Sequence, residues 1–123
     1  MAQVAIRATE RTAAAASAID QDHLKRMTYG DSSLERELLQ LFDRQIEILV
    51  ARMRASDAAG IATLAHTLKG SASGVGAVNM AQAAEAAELA AGRSPAERGA
   101  ALDELAKVGE QTRVLIAEML RAH

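Results

Sequence analysis

The chain has 123 residues, with 14 Lys plus Arg against 16 Asp plus Glu, no Cys, one Pro, and only Tyr29 and Phe42 as aromatics. That length suits one domain able to bury an ordinary core without disulfides; a formal net charge of −2 is no footprint for a nucleic-acid backbone, and the lack of thiols excludes thiolate metal sites and cysteine nucleophiles. Hydrophobic residues make up 50%, but 29 residues are Ala, and an Ala-rich, nearly proline-free chain favours closely packed helices over strands.

Residues 1–16 mix Ala, Arg and Thr without a sustained apolar stripe and are expected to be a flexible tail, leaving a helical domain over 17–123. The start lacks the apolar core of a secretory signal, and no run of about twenty apolar residues could cross a bilayer, so a cytoplasmic location is expected. Asp20 opens a short helix that closes near Tyr29-Gly30, where Gly30 suits a left-handed stop. Asp31 or Ser32 can cap the next helix, and Ser32 with Glu35 has capping-box spacing. This helix should run to about Arg54, with Leu34, Leu38, Leu41, Phe42, Ile48 and Leu49 as its buried stripe. Gln45 and Arg52 fall in or beside that stripe; the Arg52 stem is expected to lie along the core edge with its head in water.

Ser56 or Asp57 caps a third helix ending near Gly74 or Gly76. Asn79 is the expected cap of a fourth, from Met80 to about Ala91, with Gln82, Glu85 and Glu88 on one side. Gly92 ends it, and Ser94-Pro95-Ala96-Glu97 combines an N-cap, a first-turn Pro and a Glu three after the cap to start the last helix. Leu102, Leu105, Val108, Thr112, Leu115, Ile116 and Met119 form its apolar face. The fold expected is all-α: an antiparallel four-helix bundle with a short additional N-terminal helix.

The third helix carries the feature that needs explaining. At about 100° per residue, His66, Lys69, Gly70 and Ser73 share one narrow face, and Ala59 and Ala62 extend it towards the N-terminal end. Ile61, Leu64, Leu68 and Val75 point largely the other way, with Ala65 and Ala72 filling in. Surface faces are normally crowded with long polar side chains; this one is nearly bare around a single imidazole and a single ammonium. Gly70 inside a helix costs about 0.5–1 kcal/mol relative to Ala, which suggests a steric requirement beside the ring.

The stretch Ala65-His66-Thr67-Leu68-Lys69-Gly70-Ser71-Ala72-Ser73-Gly74-Val75-Gly76-Ala77 resembles the signature of the histidine phosphotransfer (HPt) domain family. The resemblance extends from about Ile19 to the last helix, resting on helix order and spacing outside the motif. It implies that His66 accepts a phosphoryl group, that Lys69 supplies charge beside it, and that Gly70 leaves the imidazole unobstructed. It also implies partners that are response-regulator receiver domains, with a hybrid histidine kinase in the same relay. Ala59, Ala62 and Ser73 then belong to the face on which a partner docks. Glu88 matches a Gln or Glu position whose side chain hydrogen-bonds the imidazole, and Glu85 competes with it for that role. No cofactor is expected; Mg²⁺ would belong to the partner receiver, and the chain would be a phosphotransfer intermediate that uses no ATP.

The chemistry of the residues is compatible with this. A nucleophilic imidazole must be neutral and accessible, and an unperturbed one, with pKa about 6.5, is mostly neutral at cytosolic pH. Phosphoryl transfer needs in-line access and stabilisation of phosphate charge. His23, His66 and His123 lack metal-ligand spacing, and no Gly-x-x-x-x-Gly-Lys-Ser/Thr loop is present to cradle a nucleotide. Two alternatives stand beside this reading: a helical adaptor that is never phosphorylated, and the dimerisation and phosphoacceptor part of a histidine kinase. Thr67, directly after the His, and the additional helices argue against the second. A monomer is expected.

Overall fold

The computed structural model describes residues 18–122. The tail expected over residues 1–16 lies outside the described residues, as do residue 17 and His123. Within them the chain forms five helices: α1 (Gln21–Met27), α2 (Ser32–Arg54), α3 (Ala58–Val75), α4 (Val78–Ala90) and α5 (Pro95–Ala122). No strand occurs among the described residues.

Local chemistry sets most of these boundaries. Asp20, Asp31 and Asp57 each accept a hydrogen bond from a backbone N–H three residues on, at 3.0, 3.1 and 2.9 Å, satisfying an orphan donor of α1, α2 and α3. Ser94 Oγ does the same for Glu97 N–H at 3.2 Å, with Pro95 at the first position of α5. The start of α4 departs from expectation. It begins at Val78 after Ala77, with no side-chain cap, so Asn79 lies inside the helix. Ala77 is fully buried, its N–H donates to Ala72 O at 2.8 Å, and the chain turns directly from α3 into α4 with no room for a separate capping residue.

Connections of two to four residues join the helices, and α2, α3, α4 and α5 pack in a ring, each against two neighbours. The antiparallel course of α2 and α5 is visible in their side-chain links. Arg36 Nη1 donates to Leu120 O at 3.0 Å, Arg113 to Asp43 Oδ1 at 3.0 Å and Glu47 Oε2 at 2.9 Å, and Arg54 Nη2 to Asp103 Oδ1 at 3.1 Å. Positions ascending along α2 thus meet positions descending along α5. The hydrogen bond to Asp43, then the nearby acidic charges, push the Arg113 guanidinium above its ordinary value against the opposing effect of burial.

The core holds Leu39, Phe42, Ile46, Leu49 and Met53 of α2 against Ile61, Leu68 and Val75 of α3, Met80 of α4, and Leu102, Leu105 and Ile116 of α5. This corrects the stripe expected for α2: Phe42 and Leu49 are buried, but Leu34, Leu41 and Ile48 are exposed, and Leu38 is half-buried. Arg52 is exposed and Gln45 half-buried. Two sets of positions, 34-38-41-45-48-52 and 39-42-46-49-53, both repeat at alternating steps of four and three, one residue or about 100° apart around the helix. Helical period alone accepts either set; the placement of α3 and α5 on either side of α2 selects the second. On α5, Gly109 joins the buried face, where a Cβ would lie 3.1 Å from Ile46 Cγ2. Its lack of a side chain lets α5 approach α2 and α4.

Candidate functional site

The helix bearing His66 is anchored at both ends. Asp57 caps its start, and at its C-terminal end Gly76 adopts φ +80. Glycine is required there twice over, because a Cβ would also sit 2.9 Å from Asp20 O. The short α1 closes over this end. Asp20 N–H donates to Gly76 O at 2.7 Å, and the His23 ring donates from Nε2 to Gly74 O at 3.0 Å. Carbonyls that a helix C-terminus leaves unpaired are therefore met by α1, which fixes α3 with respect to the turn into α4. Nothing local to His23 in the sequence signals this partner 51 residues away.

On the outer face of α3 the His66 side chain is 71% exposed. Its Nδ1 lies 2.9 Å from Glu88 Oε2 on α4. An ionised carboxylate only accepts, so the ring donates its Nδ1–H, and the lone pair of the neutral imidazole resides on Nε2. Glu88 is thus the carboxylate at the ring, and Glu85 is not. Glu85 Oε1 instead lies 3.7 Å from Lys69 Nζ, which also stands 3.9 Å from Glu88 Oε1. His66, Lys69, Glu85 and Glu88 form one charged cluster across the α3–α4 seam.

Around the cluster the face is low. Gly70 is exposed, and a Cβ built on it would meet nothing within 4 Å, so packing within the chain does not require a glycine there. Ala59 and Ser73 are exposed on either side. Ala62 differs: it is half-buried and packs against the core, so the bare stripe read from the sequence is only partly open to solvent. A cleft of about 310 Å³ opens beside Lys69 and Ser73, bounded by Asp20, the cap of α1, by His23 of α1, and by Gln82 and Glu85 of α4.

Among the described residues no group of three or more His, Cys, Asp or Glu is placed to hold a metal ion, and no helix is long and apolar enough to cross a membrane. The site supplies a tethered, accessible imidazole, an ammonium one turn away and open space around both, which suits attack by Nε2 on an electrophile carried by another molecule.

Comparison with known proteins gives the same direction. The structure is similar to the crystal structure of histidine-containing phosphotransfer protein B from Pseudomonas aeruginosa PAO1, with a TM-score of 0.78 at 23% sequence identity, over 88% of this chain and 98% of that one. At that identity the likeness establishes the helical fold. No curated protein sequence matches the chain. The family model for the Hpt domain matches residues 33–122, which takes in α3 with His66 and all of α4 and α5. The chain belongs to the Hpt domain family.

Proposed function

We propose that this chain is a phosphorelay intermediate that accepts a phosphoryl group on His66 Nε2 and passes it to another protein. The observation that carries this is the His66 ring, largely exposed and tethered at Nδ1 by Glu88. Donor and acceptor are receiver domains bearing an aspartyl phosphate, with a hybrid histidine kinase as their upstream source. The Nε2 lone pair attacks phosphorus; the N–P bond forms as the P–O bond to the aspartyl carbonyl breaks, and the electron pair leaves with the receiver's carboxylate. The ring becomes a phosphoimidazolium whose Nδ1–H remains on Glu88, so the carboxylate offsets the charge the ring acquires. Lys69 is near enough to attract the phosphoryl oxygens, and the chain itself binds no nucleotide and works as a cytoplasmic monomer. Mg²⁺ belongs to the receiver's acidic site.

Four long helices closing a bundle within one chain favour this over a kinase dimerisation module, whose hairpin needs a second subunit to complete its core. The experiment is phosphoryl transfer from a phosphorylated receiver to the parent chain and to His66→Gln. The variant should keep the helical circular dichroism and lose all label, and the parental label should be acid-labile and base-stable, as a phosphoramidate is. Label that persists on His23 or His123, or that survives acid, would overturn the assignment.

A further inference from the structure

Two carboxylates of α4 share the one ammonium beside His66. Lys69 Nζ stands 3.7 Å from Glu85 Oε1 and 3.9 Å from Glu88 Oε1. Both separations exceed the N–H···O range of about 2.7–3.2 Å, so charge holds the ammonium near the carboxylates while no hydrogen bond fixes it. Glu88 has a second commitment, because its other oxygen accepts the His66 Nδ1–H. Glu85 pairs with Lys69 alone among the described residues, and its side chain is 54% exposed. Orienting the ring requires only Glu88. Glu85 adds a further negative charge at a site whose function brings in a dianion, and that charge needs an account.

Lys69 cannot serve two anions equally. With the ring unloaded, one ammonium faces two carboxylates, and the cluster carries a net negative charge. A phosphoryl group on Nε2 then draws on the same ammonium. We infer that Glu85 is a positioning residue that competes with the phosphoryl group for Lys69 and so limits how tightly the phosphorylated form of the site is held. This rests on the reading of His66 as the phosphoacceptor. For an intermediate the limit is useful: each gain in the stability of the N–P adduct is a loss of driving force when the adduct is discharged. Glu85 keeps Lys69 close to the ring and partly satisfied, so the phosphoryl group is stabilised without being trapped.

The inference is tested on the intact chain by loading His66 with phosphoramidate, a small donor that needs no partner, and titrating the adduct by ³¹P NMR. An ammonium near the phosphoryl group favours its dianion, so the acidity of the phosphoryl group reports how far Lys69 engages it. Glu85→Gln retains the shape of the side chain and removes its charge. The acid dissociation constant of the adduct should rise by about two- to fivefold, the range expected for an exposed ion pair. Removing a negative charge would raise it even without Lys69, so the same change is made in a Lys69→Met background. There the effect of Glu85→Gln should fall below about 1.5-fold, the two substitutions being strongly non-additive. No change on Glu85→Gln, or an equal change with and without Lys69, would overturn the inference. Failure of the underlying reading has its own signature: no phosphoramidate label on the parent, or label that His66→Gln retains. A merely structural role for Glu85 would move the melting temperature without producing a Lys69-dependent shift.

Discussion

Gly70 is the residue at which stability and function can be set against each other most cleanly. It lies well inside α3, where glycine costs about 0.5–1 kcal/mol relative to Ala through the backbone freedom it loses on folding. A Cβ there would meet nothing within 4 Å, so no steric penalty offsets the gain from filling the position. Gly70→Ala should therefore stabilise the chain by about 0.5–1 kcal/mol, raising the melting temperature by about 2–5 °C for a domain of this size. Gly70→Gln should stabilise it slightly less. Yet positions four apart on a helix stand only about 5–6 Å from one another, so a glutamine at 70 occupies the approach to the His66 ring. Receiver-dependent transfer should fall at least about tenfold in Gly70→Gln, equivalent to about 1.4 kcal/mol of lost transition-state contact. Gly99 in α5 is the control, since a Cβ there also meets nothing within 4 Å. Gly99→Ala should gain similar stability and transfer at the parental rate. Thermal unfolding by circular dichroism and rapid-quench transfer from a phosphorylated receiver measure the two quantities. Parental transfer by Gly70→Gln would refute the reasoning, and so would a loss of stability in Gly70→Ala.

Two more predictions concern the same face. Ala59→Gln and Ser73→Gln place bulk two helical turns to either side of His66, at exposed positions; both should fold, slow receiver-dependent transfer several-fold, and still take label from phosphoramidate. Equal loss with the small donor would mean that the imidazole, and not docking, was damaged. Lys69→Ala should change stability by about 0.5 kcal/mol or less, because the ion pairs it gives up are partly solvated and loose; the lifetime of the phosphorylated chain, followed by acid-labile label, should nevertheless shorten. An unchanged lifetime would reduce Lys69 to a solvated charge.

The contacts at the α3–α4 seam also explain why a site at the surface is geometrically defined. His66 is held by Glu88, α3 is capped by Asp57, and α1 seals its other end through Asp20 and His23. Helix α3 is thus fixed at both termini and at the His66 ring, while the approach to Nε2 stays free of side chains at Gly70.

The sequence by itself determined what depends on neighbours along the chain. Asp20, Asp31, Asp57 and Ser94-Pro95 mark helix starts because a capping oxygen reaches an N–H only three residues away, and His66, Lys69, Gly70 and Ser73 share a face because the helical period places them there. Other features required the fold. Whether Leu41 and Ile48 or Leu39 and Ile46 are buried, whether Glu85 or Glu88 meets the imidazole, and that His23 bonds a carbonyl of α3 were all decided by tertiary structure. A helix fixes the angular order of its own residues, but its rotation and axial shift against a neighbour are set by how both sets of side chains pack, as where Gly109 lets α5 close on Ile46 and Met80. That relative placement brings Glu88 to His66 and leaves Glu85 to Lys69.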